Sequence, residues 1–189
     1  MKSDNHYELA FEAYLRARGV AALPVVEARR SYLDAGSVKS PDFLVVTAAD
    51  VRLVVDVKGR KFGGTPLKPR LIWQNWCERE DVESLERWAA HFGPGFRGVL
   101  AFVYQLPPEI ELPPGTPDLF AFRGAIYLVR GVEVSAYRTA MRTRSPRWRT
   151  VHLPTAAFRG MVKPFSHFLR AARVQSQEFT AENAELAEN

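Results

Sequence analysis

Cysteine and long apolar segments are both scarce in this chain. Cys77 is the only cysteine among 189 residues, so no disulfide can form within the chain. The apolar runs, such as residues 43–46, 53–55 and 99–104, fall far short of the roughly 20 residues that cross a bilayer. The N-terminal residues lead into an amphipathic pattern and show no apolar signal segment. These absences exclude a disulfide framework and disfavour membrane and secreted classes, so we expect a cytoplasmic protein.

Acidic residues are almost missing from one long stretch of the sequence. Residues 119–173 contain 11 Lys and Arg residues and a single acid, Glu133, whereas residues 1–118 are nearly neutral. Residues 174–189 reverse the balance, with four Glu residues and no base. A concentrated basic block suits phosphate binding, although a solvated Arg-rich face would have the same composition.

The rest of the composition is that of an ordinary folded domain. Apolar residues make up 47% of the sequence and aromatic residues 12%, which is enough to bury a core and too much for a disordered chain. We predict one domain over residues 1–173, with its core at about 6–104 and a basic C-terminal extension at 119–173. We expect residues 174–189 to form a disordered acidic tail.

Hydrophobic periodicity and turn residues predict the order of the elements. The predicted elements are a helix at 5–18, strands at 22–27, 41–47 and 51–58, a helix at 81–92, a strand at 99–104, strands at 119–122, 125–129 and 149–153, and helices at 134–142 and 155–173. A short turn joins the strands at 41–47 and 51–58, which should therefore form an antiparallel hairpin. This order predicts a mixed α/β sheet with helices on its faces.

The predicted hairpin brings charged side chains of opposite sign together. Asp42 is near the start of its first strand, and Asp56 and Lys58 are near the end of its second strand. Side chains two residues apart on a strand share a face, and the start of one antiparallel strand lies beside the end of its partner. We therefore expect Asp42 to lie beside Asp56, where two carboxylates repel each other unless a cation or a proton lies between them.

The first predicted helix adds a further carboxylate. Glu8 shares a helix face with Phe11 and Leu15, and a carboxylate is unusual on the stripe that should cover the sheet. Glu12 lies on the same stripe, and the pattern does not choose between the two glutamates. Glu27, at the end of the first predicted strand, is a weaker candidate for the same role.

This combination of residues suits the hydrolysis of a phosphodiester. That reaction needs an activated water, a stabilised leaving oxygen and neutralised phosphate charge, much of which Mg²⁺ held by carboxylates can supply. A nearby lysine can orient the water and meet the developing negative charge. The tripeptide Asp56-Val57-Lys58 alone is a weak signal. Its ordered combination with the helix glutamate and with Asp42 at a strand start is more specific.

Basic side chains on both sides of this set are candidates for binding a nucleic acid. Four follow the hairpin in a glycine-containing loop, and four lie in the basic block: Arg60, Lys61, Lys68 and Arg70, and Arg142, Arg144, Arg147 and Arg149. Trp148 interrupts the second group, and basic residues mixed with an aromatic suit nucleic-acid binding. Trp73 and Trp76, close to the loop, could stack on bases or pack in the core.

Three short segments together resemble the PD-(D/E)XK nuclease superfamily. They are Tyr7-Glu8 ahead of Gly19, then Pro41-Asp42-Phe43, then Val54-Val55-Asp56-Val57-Lys58-Gly59. The resemblance covers residues 6–104 and is strongest to the Mrr-like and RecB-like branches, while His6-Tyr7-Glu8 is similar to an uncharacterised bacterial branch. RecB-like members carry Gln-x-x-x-Tyr on the second helix, whereas here Gln74 is followed by Glu78 at the tyrosine position.

The resemblance implies a restriction-endonuclease-like fold. Its αβββαβ core has a central mixed sheet flanked by helices, and the basic C-terminal region would be an elaboration of that core. The Mg²⁺ ligands that it implies, for which Mn²⁺ can substitute, are Asp42, Asp56, the Val57 carbonyl and Glu8. Lys58 would position the attacking water.

We therefore predict a metal-dependent endo- or exonuclease that acts on DNA in preference to RNA, in repair, recombination or defence. Superfamily members that cut both strands are often dimers, so a homodimer is an expected state. The alternative is a catalytically inactive nucleic-acid-binding module on a nuclease fold. A third possibility is a protein-interaction subunit whose basic third binds an acidic partner.

Overall fold

The computed structural model describes residues 6–25, 31–33, 36–61, 64–65, 68–69, 73–110 and 112–170; for residues 31–33, 36, 64–65 and 68–69 it describes the backbone alone. Some predicted features lie outside the described residues, namely Glu27, the side chain of Lys68, Arg70 and the tail at 174–189. No helix in these ranges is both long enough and apolar enough to cross a membrane.

The elements follow one another along the chain in this order: α1 (His6–Arg16), β1 (Ala21–Pro24), β2 (Ser31–Leu33), β3 (Gly36–Val38), β4 (Phe43–Val46), β5 (Arg52–Lys61), β6 (Gly64–Thr65), β7 (Lys68–Pro69), β8 (Cys77–Glu78), α2 (Arg79–Phe92), β9 (Phe96–Leu106), β10 (Leu119–Phe122), β11 (Ala125–Glu133), α3 (Val134–Ala140), β12 (Arg142–Ser145), β13 (Thr150–His152), α4 (Thr155–Met161) and β14 (Lys163–Pro164). A short 3₁₀ helix at Phe165–His167 follows β14.

The largest sheet of the described chain has the strand order β1-β4-β5-β9-β11-β10, and β14 pairs with β11. β5 and β9 run parallel because α2 crosses between them, whereas the neighbouring pairs on either side are antiparallel. α1 packs on one face of the sheet, and α2 and α3 pack on the other. This arrangement confirms the predicted mixed α/β sheet with helices on its faces.

The apolar run in β9 explains why this strand lies at the centre. Val99 and Val103 pack in the core under α1, while Leu100 and Phe102 pack in the core under α2. All four side chains are fully buried, as expected for a strand covered on both faces. β5 next to it is buried on both faces as far as Val57, so the polar residues that follow lie where the strand leaves the core.

The predicted helix at 155–173 is wrong for residues 162–170. The chain leaves α4 at Met161, and Lys163–Pro164 pairs with β11 instead of continuing the helix. Pro164 has no N–H to donate, and the residue before a proline is biased towards extended conformations. These two restrictions favour a strand at this point.

Part of the basic region forms a second sheet against the start of α2. Its strand order is β12-β13-β8, and β8 leads directly into α2. Buried Asn75 links the two regions: its side chain donates a hydrogen bond to the Leu153 carbonyl at 3.0 Å and accepts one from the Leu153 N–H at 3.1 Å. The Tyr137 hydroxyl donates to the Asn75 carbonyl at 2.8 Å. The basic strands are therefore fixed next to β5 and α2.

Candidate active site

The central sheet splits at the end of the β4–β5 hairpin. β4 pairs with β5 only as far as Val55, whereas β5 continues to pair with β9 as far as Lys61. Asp42 lies at this split: its N–H donates to the Val55 carbonyl at 3.0 Å. Its carboxylate Oδ2 accepts the Val57 N–H at 2.6 Å and so replaces the missing strand partner. This hydrogen bond fixes Asp42 beside Asp56.

The two aspartates of the split form an electrostatically unfavourable pair. Asp42 and Asp56 are 8% and 3% exposed, so water screens their charges poorly. Burial raises the pKa of Asp42 to about 8, and the neighbouring carboxylates of Asp56 and Glu8 add to this increase. The hydrogen bond from the Val57 N–H and the charge of Lys58 act in the opposite direction but are weaker. Burial likewise raises the pKa of Asp56. A proton or a cation at this position would relieve the repulsion.

Lys58 lies in a chain of ion pairs with buried carboxylates. Its Nζ lies 2.6 Å from Asp56 Oδ2 and 2.7 Å from Asp81 Oδ2. The other oxygen of Asp81 accepts from Lys39 Nζ at 2.6 Å. Burial alone would lower the pKa of Lys58, but the two carboxylates outweigh it and raise the pKa above its ordinary value. The ammonium group is therefore charged and held between β5 and α2.

Asp81 and Lys39 are members of this network that the sequence analysis did not identify. Asp81 is in the first turn of α2, where its Oδ2 also accepts the Glu78 N–H at 2.8 Å and caps the helix. Burial favours its neutral form, yet Lys58 and Lys39 outweigh burial and lower its pKa. The Lys39 carbonyl accepts from Trp88 Nε1 at 2.9 Å, which fixes this residue against α2.

A topological signal in the sequence could have pointed to Asp81. A helix that crosses between parallel strands starts near the carboxyl end of the first strand. Here that strand is β5, and Lys58 lies near its end. An acid in the first turn of the crossover helix is therefore a candidate partner for Lys58.

The structure separates the two candidate glutamates of α1. Glu12 pairs with Arg16, one turn further along the helix, at 2.7 Å. Glu8 lies close enough to Asp42 for its charge to raise the pKa of Asp42. Tyr7 sets the position of this end of the helix, because its ring lies against the backbone at Gly59, where a Cβ would collide with it.

The basic residues expected to bind nucleic acid have different environments. The Arg60 guanidinium lies 4.1 Å from the centre of the Trp76 ring and donates to the carbonyls of Gly59 and Trp76, so it is engaged within the protein. Burial lowers its pKa. Lys61 is exposed at the end of β5. The remaining described candidates are exposed on β12 and the turn that follows it: Arg142, Arg144, Arg147 and Arg149.

The donor atoms at the split fit a hard divalent cation. Asp42, Asp56 and Glu8 supply carboxylate oxygens, and the repulsion between the two aspartates is what a cation would remove. The N–H and C=O of one residue in a β-strand point to the same side, so the Val57 carbonyl faces the side on which its N–H meets Asp42. Within the described ranges, no three His, Cys, Asp or Glu side chains are already arranged as a metal site.

No family model matches the sequence, and no curated protein matches it. The chain has a restriction-endonuclease-like fold, with a curled mixed sheet flanked by helices. It is similar to the solved structure of Hjc, a Holliday junction resolvase from the archaeal hyperthermophile Archaeoglobus fulgidus. The two chains share 14% sequence identity and superpose with a TM-score of 0.50, over 87% of this chain and 99% of Hjc. The predicted fold class is therefore confirmed.

Proposed function

We propose that this protein is a metal-dependent nuclease that hydrolyses phosphodiester bonds, with DNA as the preferred substrate, in repair, recombination or defence. One observation carries the proposal: Asp42 and Asp56 are buried side by side where the sheet splits, with the Lys58 ammonium next to Asp56. Two carboxylates and a lysine at such a point provide the groups that phosphodiester hydrolysis requires.

In the proposed site each side chain has a defined role. The residues that would hold Mg²⁺, or Mn²⁺ in its place, are Asp42, Asp56, Glu8 and the Val57 carbonyl. The bound ion would polarise the phosphate and lower the pKa of a bound water. Lys58 would donate hydrogen bonds to the attacking water and to a phosphate oxygen. Asp81 and Lys39 would hold Lys58 in that position through their ion pairs.

Two further observations support a nucleic acid as the substrate, and the first of them favours DNA. The solved structure with a similar fold is of a Holliday junction resolvase, so branched DNA belongs among the substrates to be tested. The exposed arginines of β12 and its turn, together with Lys61, supply positive charge for phosphates. A homodimer would allow both strands of such a substrate to be cut, and we propose it as the working state.

A catalytically inactive nucleic-acid-binding module is the second candidate. It is favoured by the ion pairs of Lys58 with Asp56 and Asp81, because these balance much of the buried negative charge without a metal ion. In that case the same residues would stabilise the fold, and the basic surface would be the functional part of the protein.

A cleavage assay separates the two candidates. The substrates are labelled RNA and labelled DNA in linear, circular, single-stranded and four-way-junction form. Each is incubated with the parent protein, Asp56→Asn or Lys58→Gln, in the presence of Mg²⁺, Mn²⁺ or EDTA. We expect cleavage that needs the metal and is lost in both variants while binding survives. Asp50→Asn is the matched control, because Asp50 is an exposed aspartate that forms an ion pair with Arg52. Full cleavage by both active-site variants would refute the nuclease assignment, and binding without any cleavage would favour the inactive module.

A further inference from the structure

The exposed tip of the basic hairpin is a feature that the proposed chemistry does not use. This arginine hairpin comprises β12, the turn at 146–149 and β13. Trp148 at its tip is 68% exposed, although burying so large an apolar ring is normally favourable. The Arg147 guanidinium lies 5.2 Å from the centre of the Trp148 ring. The hairpin thus presents an aromatic face among positive charges.

The tip has a fixed backbone conformation. The Arg149 N–H donates to the Pro146 carbonyl at 3.2 Å, and the Trp148 N–H donates to Ser145 Oγ at 3.3 Å. Arg149 adopts a positive φ of 48° and its carbonyl accepts the Arg79 N–H at 2.9 Å, which ties the tip to the start of α2. The backbone that carries Trp148 is therefore held in place before any ligand arrives, so that little entropy of backbone ordering opposes binding.

Two routes join the arginine hairpin to the candidate active site. β13 pairs with β8 through Val151 and Cys77, and α2 with Asp81 follows directly after β8. The second route is a stack of side chains: the guanidinium groups of Arg60 and Arg144 lie 4.1 Å and 4.8 Å from the centre of the Trp76 ring. The hairpin is thus built onto the end of β5 that carries Lys58.

The other tryptophans of this region are already engaged. Trp76 contacts two arginines, and Trp73 packs edge-on against Tyr104 with 5.1 Å between the ring centres. Trp148, by contrast, presents most of its surface to solvent. A paired duplex offers phosphates but no free ring face, whereas an unpaired base can stack on an exposed aromatic side chain.

We propose that the arginine hairpin binds unpaired nucleotides, with one base stacked on Trp148 and the flanking phosphates bound by Arg147 and Arg149. This inference rests on the proposed nuclease function and deepens it, because it assigns substrates that have single-stranded segments next to the cleaved bond. Single-stranded ends, flaps and open junctions belong to this class, and they can consist of DNA or RNA.

Binding measured without metal tests the inference independently of cleavage. Short fluorescein-labelled single strands of DNA and of RNA, and a DNA duplex, are titrated in EDTA and followed by fluorescence anisotropy. Trp148→Ala should weaken binding of the single strands by about 5- to 150-fold, the range expected for loss of one base–aromatic stack. Trp148→Phe should retain most of the affinity, and duplex binding should change less than about twofold. The nucleic acid, DNA or RNA, whose affinity falls more in Trp148→Ala is the one whose base stacks on Trp148.

Leu23→Ala is the matched control. Leu23 is an apolar side chain of similar exposure, 65%, on the edge strand β1, and its removal should not change binding. Circular dichroism would establish that each variant is folded. Equal affinity of the parent and Trp148→Ala for single strands would overturn the inference, as would a failure of the parent to bind any oligonucleotide. If Trp148→Ala weakens the binding of single strands but the parent protein does not cleave any substrate, the inference is supported and only the nuclease function is rejected.

Discussion

At the scale of single residues, Asp42 is a carboxyl group whose protonation is controlled by its burial and by the charges around it in the site. Its pKa of about 8 in the folded protein lies far above the value of about 4 in an unfolded chain. Between these values the folded state binds a proton that the unfolded state does not. The contribution of Asp42 to the stability of the protein should therefore fall as the pH rises from about 4 to about 8.

Asp42→Asn should remove this contribution to the pH dependence. The amide oxygen of asparagine can still accept the Val57 N–H, but the side chain no longer carries a charge. We compare the Tm of the variant minus the Tm of the parent at two pH values. This difference should be a few degrees larger at pH 8.5 than at pH 5, since about 1 kcal/mol corresponds to 2–4 °C in a chain of this size. Thermal melts in EDTA measure the difference, and an equal difference at both pH values would contradict the assignment.

The same pair of proteins tests metal binding without any substrate. A ligand that binds only the folded state stabilises it, by about 2.7 kcal/mol at a hundred times its Kd. Mg²⁺ or Mn²⁺ at pH 8 should raise the Tm of the parent and not that of Asp42→Asn. The exposed variant Asp50→Asn should respond like the parent.

Asp81 is the residue that connects the stability of α2 with the position of Lys58. Asp81→Asn keeps an oxygen that can cap α2 but removes the ion pairs with Lys58 and Lys39. The loss of stability should be below the roughly 3–5 kcal/mol typical of breaking a buried pair, because Lys58 retains Asp56. If the nuclease function holds, kcat should fall on the order of 100-fold with little change in KM, since Lys58 loses its fixed position.

Glu86→Gln provides the control for Asp81→Asn. Glu86 is on the same helix and pairs with Arg138 at the surface. Its neutralisation should change stability by no more than about 0.5 kcal/mol and leave kcat unaltered. A small and equal effect of both substitutions would show that Asp81 does not position Lys58.

At the scale of elements, the contact between α1 and β5 determines where Glu8 lies. Gly59 follows Lys58 on β5, and a Cβ at this position would collide with the ring of Tyr7. Gly59→Ala should therefore destabilise the protein by about 1–3 kcal/mol and displace the start of α1. Gly160→Ala in α4, where a Cβ meets open space, should be neutral or slightly stabilising. Chemical denaturation measures both, and an unchanged stability of Gly59→Ala would refute the close contact.

Elements also differ in how far the sequence could predict them. The β4–β5 hairpin was predictable because a short turn between two apolar runs defines it locally, and the hairpin alone brings Asp42 to Asp56. The contact of Asp81 with Lys58 was missed, because no local pattern shows it: it depends on the parallel pairing of β5 with β9, which α2 separates along the chain. The predicted helix at 155–173 failed for a related reason: β14 forms only because β11 offers it a partner.

At the scale of the whole molecule, the basic residues were predictable from composition but their roles were not. Composition shows an excess of arginine at 119–173 without showing which arginines face solvent. In the structure Arg60 is engaged with Trp76, whereas Arg142 and Arg147 are exposed on the arginine hairpin. A side chain already used in packing cannot release counterions from a nucleic acid, so only the exposed arginines should contribute to the salt dependence of binding.

The salt dependence of binding therefore tests which charges contact phosphates. Each lysine or arginine that neutralises a phosphate adds about 0.7 to the slope of log K against log salt for single strands and about 0.9 for a duplex. We expect the double variant Arg142→Gln, Arg147→Gln to reduce the slope by about twice that amount, because both side chains are exposed on the hairpin. Arg159→Gln removes another exposed charge, on α4 and outside the hairpin, and should leave the slope unchanged. Equal slopes for the parent and the double variant, measured by anisotropy over a range of salt concentrations, would mean that the nucleic acid binds on another surface of the molecule.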